Sequence, residues 1–95
     1  MIAVCVRKDG IEVCGHANYA EIGKDIVCAG VTALTQTLIR SLEDLTRDEI
    51  EYEISPGRAD IHYRNLSEEG KLLVDSFFIG VCSIADEFPD HARIV

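Results

Sequence analysis

Along this chain the apolar positions switch between a period of two and a period near 3.6, and each switch marks an element. From Ile2 to Cys14 apolar and β-branched residues flank Asp9-Gly10, a dipeptide that accepts the positive φ angles of a type I′ turn. A two-residue turn at that point makes the numbers of paired positions sum to 19. Cys5 then faces Cys14, Val6 faces Val13 and Arg7 faces Glu12. Ile2, Val4, Val6, Val13 and Gly15 share one face, and His16 falls at the strand's end on the opposite one.

From Asp25 the spacing becomes three and four, through Val27, Val31, Leu34, Leu38, Leu42 and Leu45, the mark of one buried helical stripe. Asp25 is the natural N-cap. The segment EIEYEIS alternates Ile50, Tyr52 and Ile54 with glutamates, turns at Pro56-Gly57 and returns through Ala59, Ile61 and Tyr63. This predicts a second hairpin in which pairs sum to 113 and Tyr52 faces Ile61. Ser67 caps a second helix that carries Leu73, Phe77, Val81, Ile84 and Phe88 on one face and ends at Pro89. A short strand from Ala92 to Val95 closes the sheet. The expected fold is a two-layer α+β domain over residues 1–95, order ββαββαβ, with two helices on one face of a mainly antiparallel sheet.

Charge narrows the partners. Seventeen acidic against nine basic side chains give a net charge of -8, a field that repels phosphate backbones and attracts cationic proteins. Direct binding of nucleic acid is therefore disfavoured. No apolar run approaches the length needed to cross a bilayer or forms a signal peptide, so a cytoplasmic location with no membrane partner is expected. The four cysteines, Cys5, Cys14, Cys28 and Cys82, form no CxxC pair. Free thiols are expected, with no metal site and no cofactor.

Two of these residues stand at junctions. Cys28 occupies the third helical position, in the first turn, where unpaired N–H groups and the helix dipole favour an anion such as a thiolate. Ala29 and Gly30 follow it and leave room for another backbone. A single cysteine on a helix is most often a small buried hydrophobe, and a single histidine at a strand end most often a surface residue. Together, separated by the loop-like NYAEIGK, His16 and Cys28 are a pair capable of acyl transfer. Cys5, Cys14 and Cys82 read as core or interface thiols. His62 reads as a residue of a solvated or dimer-contacting face, and His91 as a loop residue.

The sequences Gly15-His16-Ala17 and Asp25-Ile26-Val27-Cys28-Ala29-Gly30 resemble the ribosomal-processing cysteine protease family, found in bacteria whose large-subunit ribosomal protein twenty-seven carries a removable N-terminal extension. The resemblance runs through both hairpins and the ending IADEFPDHARI. It implies that Cys28 is the nucleophile and His16 the general base and acid. It also implies a homodimer, a mobile loop between the two residues, and cleavage of a short apolar extension, after an aromatic residue, from a basic ribosomal protein. Where the family commonly has serine four positions after the cysteine, this chain has Thr32, which keeps the hydroxyl. The N–H groups of Cys28 and Ala29 are oxyanion candidates, and Asp25 either caps the helix or orients His16. Gly15 borders the loop and Gly23 is its expected hinge. Two other readings remain: a non-catalytic binding module for a ribosomal or assembly protein, and a phage-type protease acting on capsid or scaffold proteins.

Overall fold

Two antiparallel hairpins and two long helices account for most of the chain. A computed structural model describes residues 1–95. Strands β1 (Ile2–Arg7) and β2 (Gly10–Cys14) form the first hairpin, α1 spans Ile26–Leu45, β3 (Ile50–Ser55) and β4 (Arg58–Tyr63) form the second, α2 spans Glu68–Glu87, and β5 is Ala92–Ile94. The strand order is β3-β4-β2-β1-β5, antiparallel except where β1 runs parallel to β5. The element order ββαββαβ and the α+β class are as the periodicity predicts.

The first hairpin departs from the expected register. Arg7 pairs with Gly10, Val6 with Ile11, Cys5 with Glu12 and Val4 with Val13, so pairs sum to 17 and the turn residues are Lys8 and Asp9. Neither has positive φ, which excludes type I′. The cause is tertiary. Gly10 belongs to the ladder because a Cβ there would lie 2.6 Å from the Ile61 carbonyl oxygen of β4. The Tyr63 hydroxyl donates to the Arg7 carbonyl at 3.0 Å and the Tyr63 N–H to that of Asp9 at 3.1 Å. Burial, then the charge of Asp9, push the Tyr63 phenol up, which keeps it a donor. A change of two in the pair sum preserves parity, so every side chain keeps its face: Ile2, Val4, Ile11 and Val13 are all buried. The second hairpin has the expected register, with Tyr52 opposite Ile61.

Both helices begin at the caps read from the sequence: the Asp25 carboxylate accepts from the Cys28 N–H, and Ser67 Oγ from the Gly70 N–H at 3.0 Å. Asp48 in turn accepts from the Ser67 N–H at 2.9 Å and its hydroxyl at 2.7 Å, bonds that hold its carboxyl below the usual carboxylate range. The stripe on α1 is shifted from expectation. Leu45 is 71% exposed, whereas Thr35 and Ile39 are buried. The helix packs against α2 and also contributes Leu38, Ile39 and Leu42 to the core it shares with the sheet. Buried Thr35 satisfies its hydroxyl by donating to the Val31 carbonyl at 2.8 Å. Gly30 and Gly80 let α1 and α2 approach closely: a Cβ at Gly80 would meet Leu34, and one at Gly30 would meet Ile84. The helices lock onto one apolar cluster that includes Val4, Ile61, Leu42, Phe77 and Val81. Truncating fully buried Leu42 to alanine would cost roughly 2–5 kcal/mol, because the surrounding layers collapse only partly into the hole.

Candidate active site

At the end of β2 the chain leaves the sheet through Gly15, at φ 100°. A side chain there would strike the Met1 carbonyl as well as strain the backbone. Alternation stops at this residue, so His16 does not take the sheet face expected from strict period two. The Gly15 N–H donates to the Gly57 carbonyl at 2.9 Å, which ties the exit of β2 to the Pro56-Gly57 turn. The imidazole of His16 consequently lies over Gly57: a Cβ on that glycine would be 2.7 Å from Nε2.

Helix α1 presents half-buried Cys28 from its first turn. His16 and Cys28 line one cavity of about 120 Å³, together with Gly15, Thr32, Gln36, Ile54 and Arg58. Its floor is apolar, from Ile2, Val13, Val31 and Ala59. A thiol and an imidazole that line one cavity are the residue types that acyl transfer requires. His16 is exposed, so protons can exchange with solvent.

Asp25 is fully occupied as a cap. Its Oδ1 accepts from the Cys28 N–H at 2.9 Å, and its Oδ2 from the N–H groups of Tyr19 at 3.0 Å and Ala20 at 3.4 Å. The N–H of Cys28, then those of Tyr19, Ala20 and Val27, hold its carboxyl below the usual range against the opposing effect of desolvation. None of these partners is His16. The two oxyanion candidates are also engaged, since the Ala29 N–H donates to the Asp25 carbonyl at 3.0 Å.

The loop after His16 is better anchored than its polar composition predicts. Ala17 is buried, and its carbonyl lies 2.9 Å from His91 Nδ1. The Tyr19 ring packs edge-on against Phe88 and His91, with centroids 5.3 and 5.2 Å away. Beyond that anchor Ile22 is fully exposed and Gly23, at φ 87°, has open space around it. Gly57, Gln36, Arg58 and His91 are parts of this region that sequence reading missed. Pro56-Gly57 was legible as a turn, but nothing local reveals that the turn seats a histidine.

The sequence model of the family described as cysteine protease Prp matches residues 1–93. Among curated relatives, the ribosomal processing cysteine protease Prp of Staphylococcus aureus is 29% identical over 84% of this chain and 78% of its own length. That of Bacillus subtilis is 27% identical over 99% and 96%. The crystal structure of the Staphylococcus aureus ribosomal processing protease Prp with a covalently linked product peptide shares the fold with TM-score 0.89 at 22% identity, covering 98% of this chain and 94% of that one. The same protease with a substrate peptide gives a TM-score of 0.83. The family match leaves only the last two positions of the sequence outside it, and the chain belongs to the cysteine protease Prp family.

Proposed function

We propose that this protease removes a short apolar N-terminal extension from a basic large-subunit ribosomal protein, with Cys28 as nucleophile and His16 as general base and acid. The observation that carries the reading is the convergence of His16 and Cys28, from a strand exit and a helix start, on one apolar-floored cavity. His16 takes the Cys28 proton and sulfur attacks the scissile carbonyl carbon. As the tetrahedral intermediate collapses, the C–N bond breaks and His16 returns the proton to the departing amine. Water, deprotonated by His16, then hydrolyses the thioester. The names of the relatives support a ribosomal over a capsid substrate, and the net charge of -8 suits a cationic one.

The working form is a cytoplasmic homodimer. Exposed Leu72, Phe78 and Ile79 on α2 supply apolar surface for a second copy. No helix is long and apolar enough to cross a membrane. The test is incubation with the extended ribosomal protein, followed by mass spectrometry, beside the Cys28→Ala variant. A single trimmed product made only by the unsubstituted protein is expected. Equal trimming by Cys28→Ala, or no trimming by either, overturns the reading.

A further inference from the structure

Strand β3 closes one side of the sheet, and nothing in the chain pairs with its outer edge. It is six residues long, against three for β5 on the opposite side, and so presents a row of free N–H and C=O groups. Its Ser55 end opens into the catalytic cavity, which Ile54 and Ser55 line beside Cys28 and His16. On the helix side of the sheet, Tyr52 and Ile54 lie next to buried Ile61 and Ala59, yet are 47% and 51% exposed. On the other side Glu51 and Glu53 point to solvent. Glu53 sits opposite another carboxylate, Asp60, and the four ion pairs of the structure include neither Glu51 nor Glu53.

These features determine what can pair with the edge. In a twofold antiparallel pairing of β3 with its own copy, keeping both apolar faces on one side requires odd positions to meet odd positions. Glutamate then faces glutamate in every such register that pairs more than three residues of the strand, which is destabilising. The same pattern accepts a strand of opposite charge. We propose that β3 is the docking strand for an extended, cationic segment of the protein substrate next to the cut. Its backbone adds to the sheet, its apolar side chains lie on Tyr52 and Ile54, and alternate Lys or Arg residues face Glu51 and Glu53. The proposal rests on the protease reading and deepens it: the cavity takes the residues at the cut, and the edge strand takes the charged stretch beside them.

The test compares two peptides with the same cleavable core, one flanked by alternate lysines and the other by alternate glutamates. Cleavage is measured with the unsubstituted protein and the Glu51→Lys/Glu53→Lys double variant, and binding by fluorescence anisotropy with Cys28→Ala. The expected preference for the lysine peptide is about three- to tenfold in both assays, from two solvent-exposed charge pairs, shrinking as salt rises and reversing in the double variant. N-methylation of alternate amides in the flank should weaken binding when it falls on the sheet-facing set and leave it unchanged on the other. Cys28-dependent cleavage with no charge preference, a preference kept by the double variant, or equal tolerance of both N-methyl sets overturns the proposal and leaves the protease reading standing. If neither peptide is cut, the protease reading fails while the anisotropy result still decides the docking strand. Peptide binding that weakens as the protein is concentrated into dimers assigns the edge to a second copy and also overturns the proposal.

Discussion

Asp25 Oδ1 accepts the backbone N–H of Cys28 at 2.9 Å, so one carboxylate starts the helix and fixes the residue proposed as the nucleophile. The other oxygen of the same group holds the N–H groups of Tyr19 and Ala20. Helix start and loop are thus joined at one side chain. Asparagine can accept a cap bond and alanine cannot, so Asp25→Ala should destabilise the protein more than Asp25→Asn in urea denaturation. Equal losses would show that charge, and not the hydrogen bonds, is what matters there.

The same bonds set an acid dependence. Asp25 and Asp48 both have carboxyls lowered from 3.8 on folding, so the unfolded chain binds more protons as pH falls through that value. The stability they contribute is complete above about pH 5 and declines from there until pH passes below their folded values. Asp48→Asn should flatten this decline when urea midpoints are compared between pH 6 and pH 3. An unchanged slope would remove Asp48 from the account.

Replacing the proposed base tests the chemistry. His16→Ala should lower the acylation rate at neutral pH by roughly 100- to 10,000-fold, the range typical of general acid–base catalysis. Because the proposed mechanism also has the histidine protonate the leaving amine, raising the pH should restore only part of the rate. Full recovery at high pH would reduce His16 to a device for forming the thiolate.

Gly57 gives a more specific test of geometry. At φ 74° and with a Cβ position 2.7 Å from His16 Nε2, Gly57→Ala both strains the turn and displaces the imidazole. The strain should cost about 1–2 kcal/mol in denaturation, and a displacement of the ring by about 1 Å should lower kcat/KM roughly 100-fold. Loss of stability with kcat/KM intact would mean that the ring has room to shift without consequence.

The loop between the catalytic candidates should behave as two parts. Tyr19→Ala removes the edge contacts with Phe88 and His91, worth about 0.5–1.5 kcal/mol, and should speed hydrogen exchange at Ala17 to Ala20. The segment from Glu21 to Lys24, with Ile22 exposed and Gly23 free to turn, should exchange fast in the free protein and slow when an uncleavable apolar peptide is bound. Equal protection of that segment in both states would make it a fixed wall and not a lid.

Sequence alone determined the features whose causes act within a few residues. The caps Asp25 and Ser67 are hydrogen bonds across three positions, and the second hairpin follows from a turn whose two residues, Pro56 and Gly57, lie between alternating strands. Helix and strand order follow from period, because burial on one face repeats with the backbone's own geometry. Tertiary structure decided whatever depends on residues far apart in the chain. Gly10 left the turn for the ladder because the backbone of Ile61 approaches it, and Leu45 lost its place in the core to Thr35 and Ile39 once α1 had both a sheet and a helix to cover. His91 came to hold the Ala17 carbonyl from 74 positions away, and the imidazole of His16 found its seat on Gly57. The two catalytic candidates were legible as residue types at two junctions; that both junctions line one cavity required the sheet to form and α1 to pack upon it.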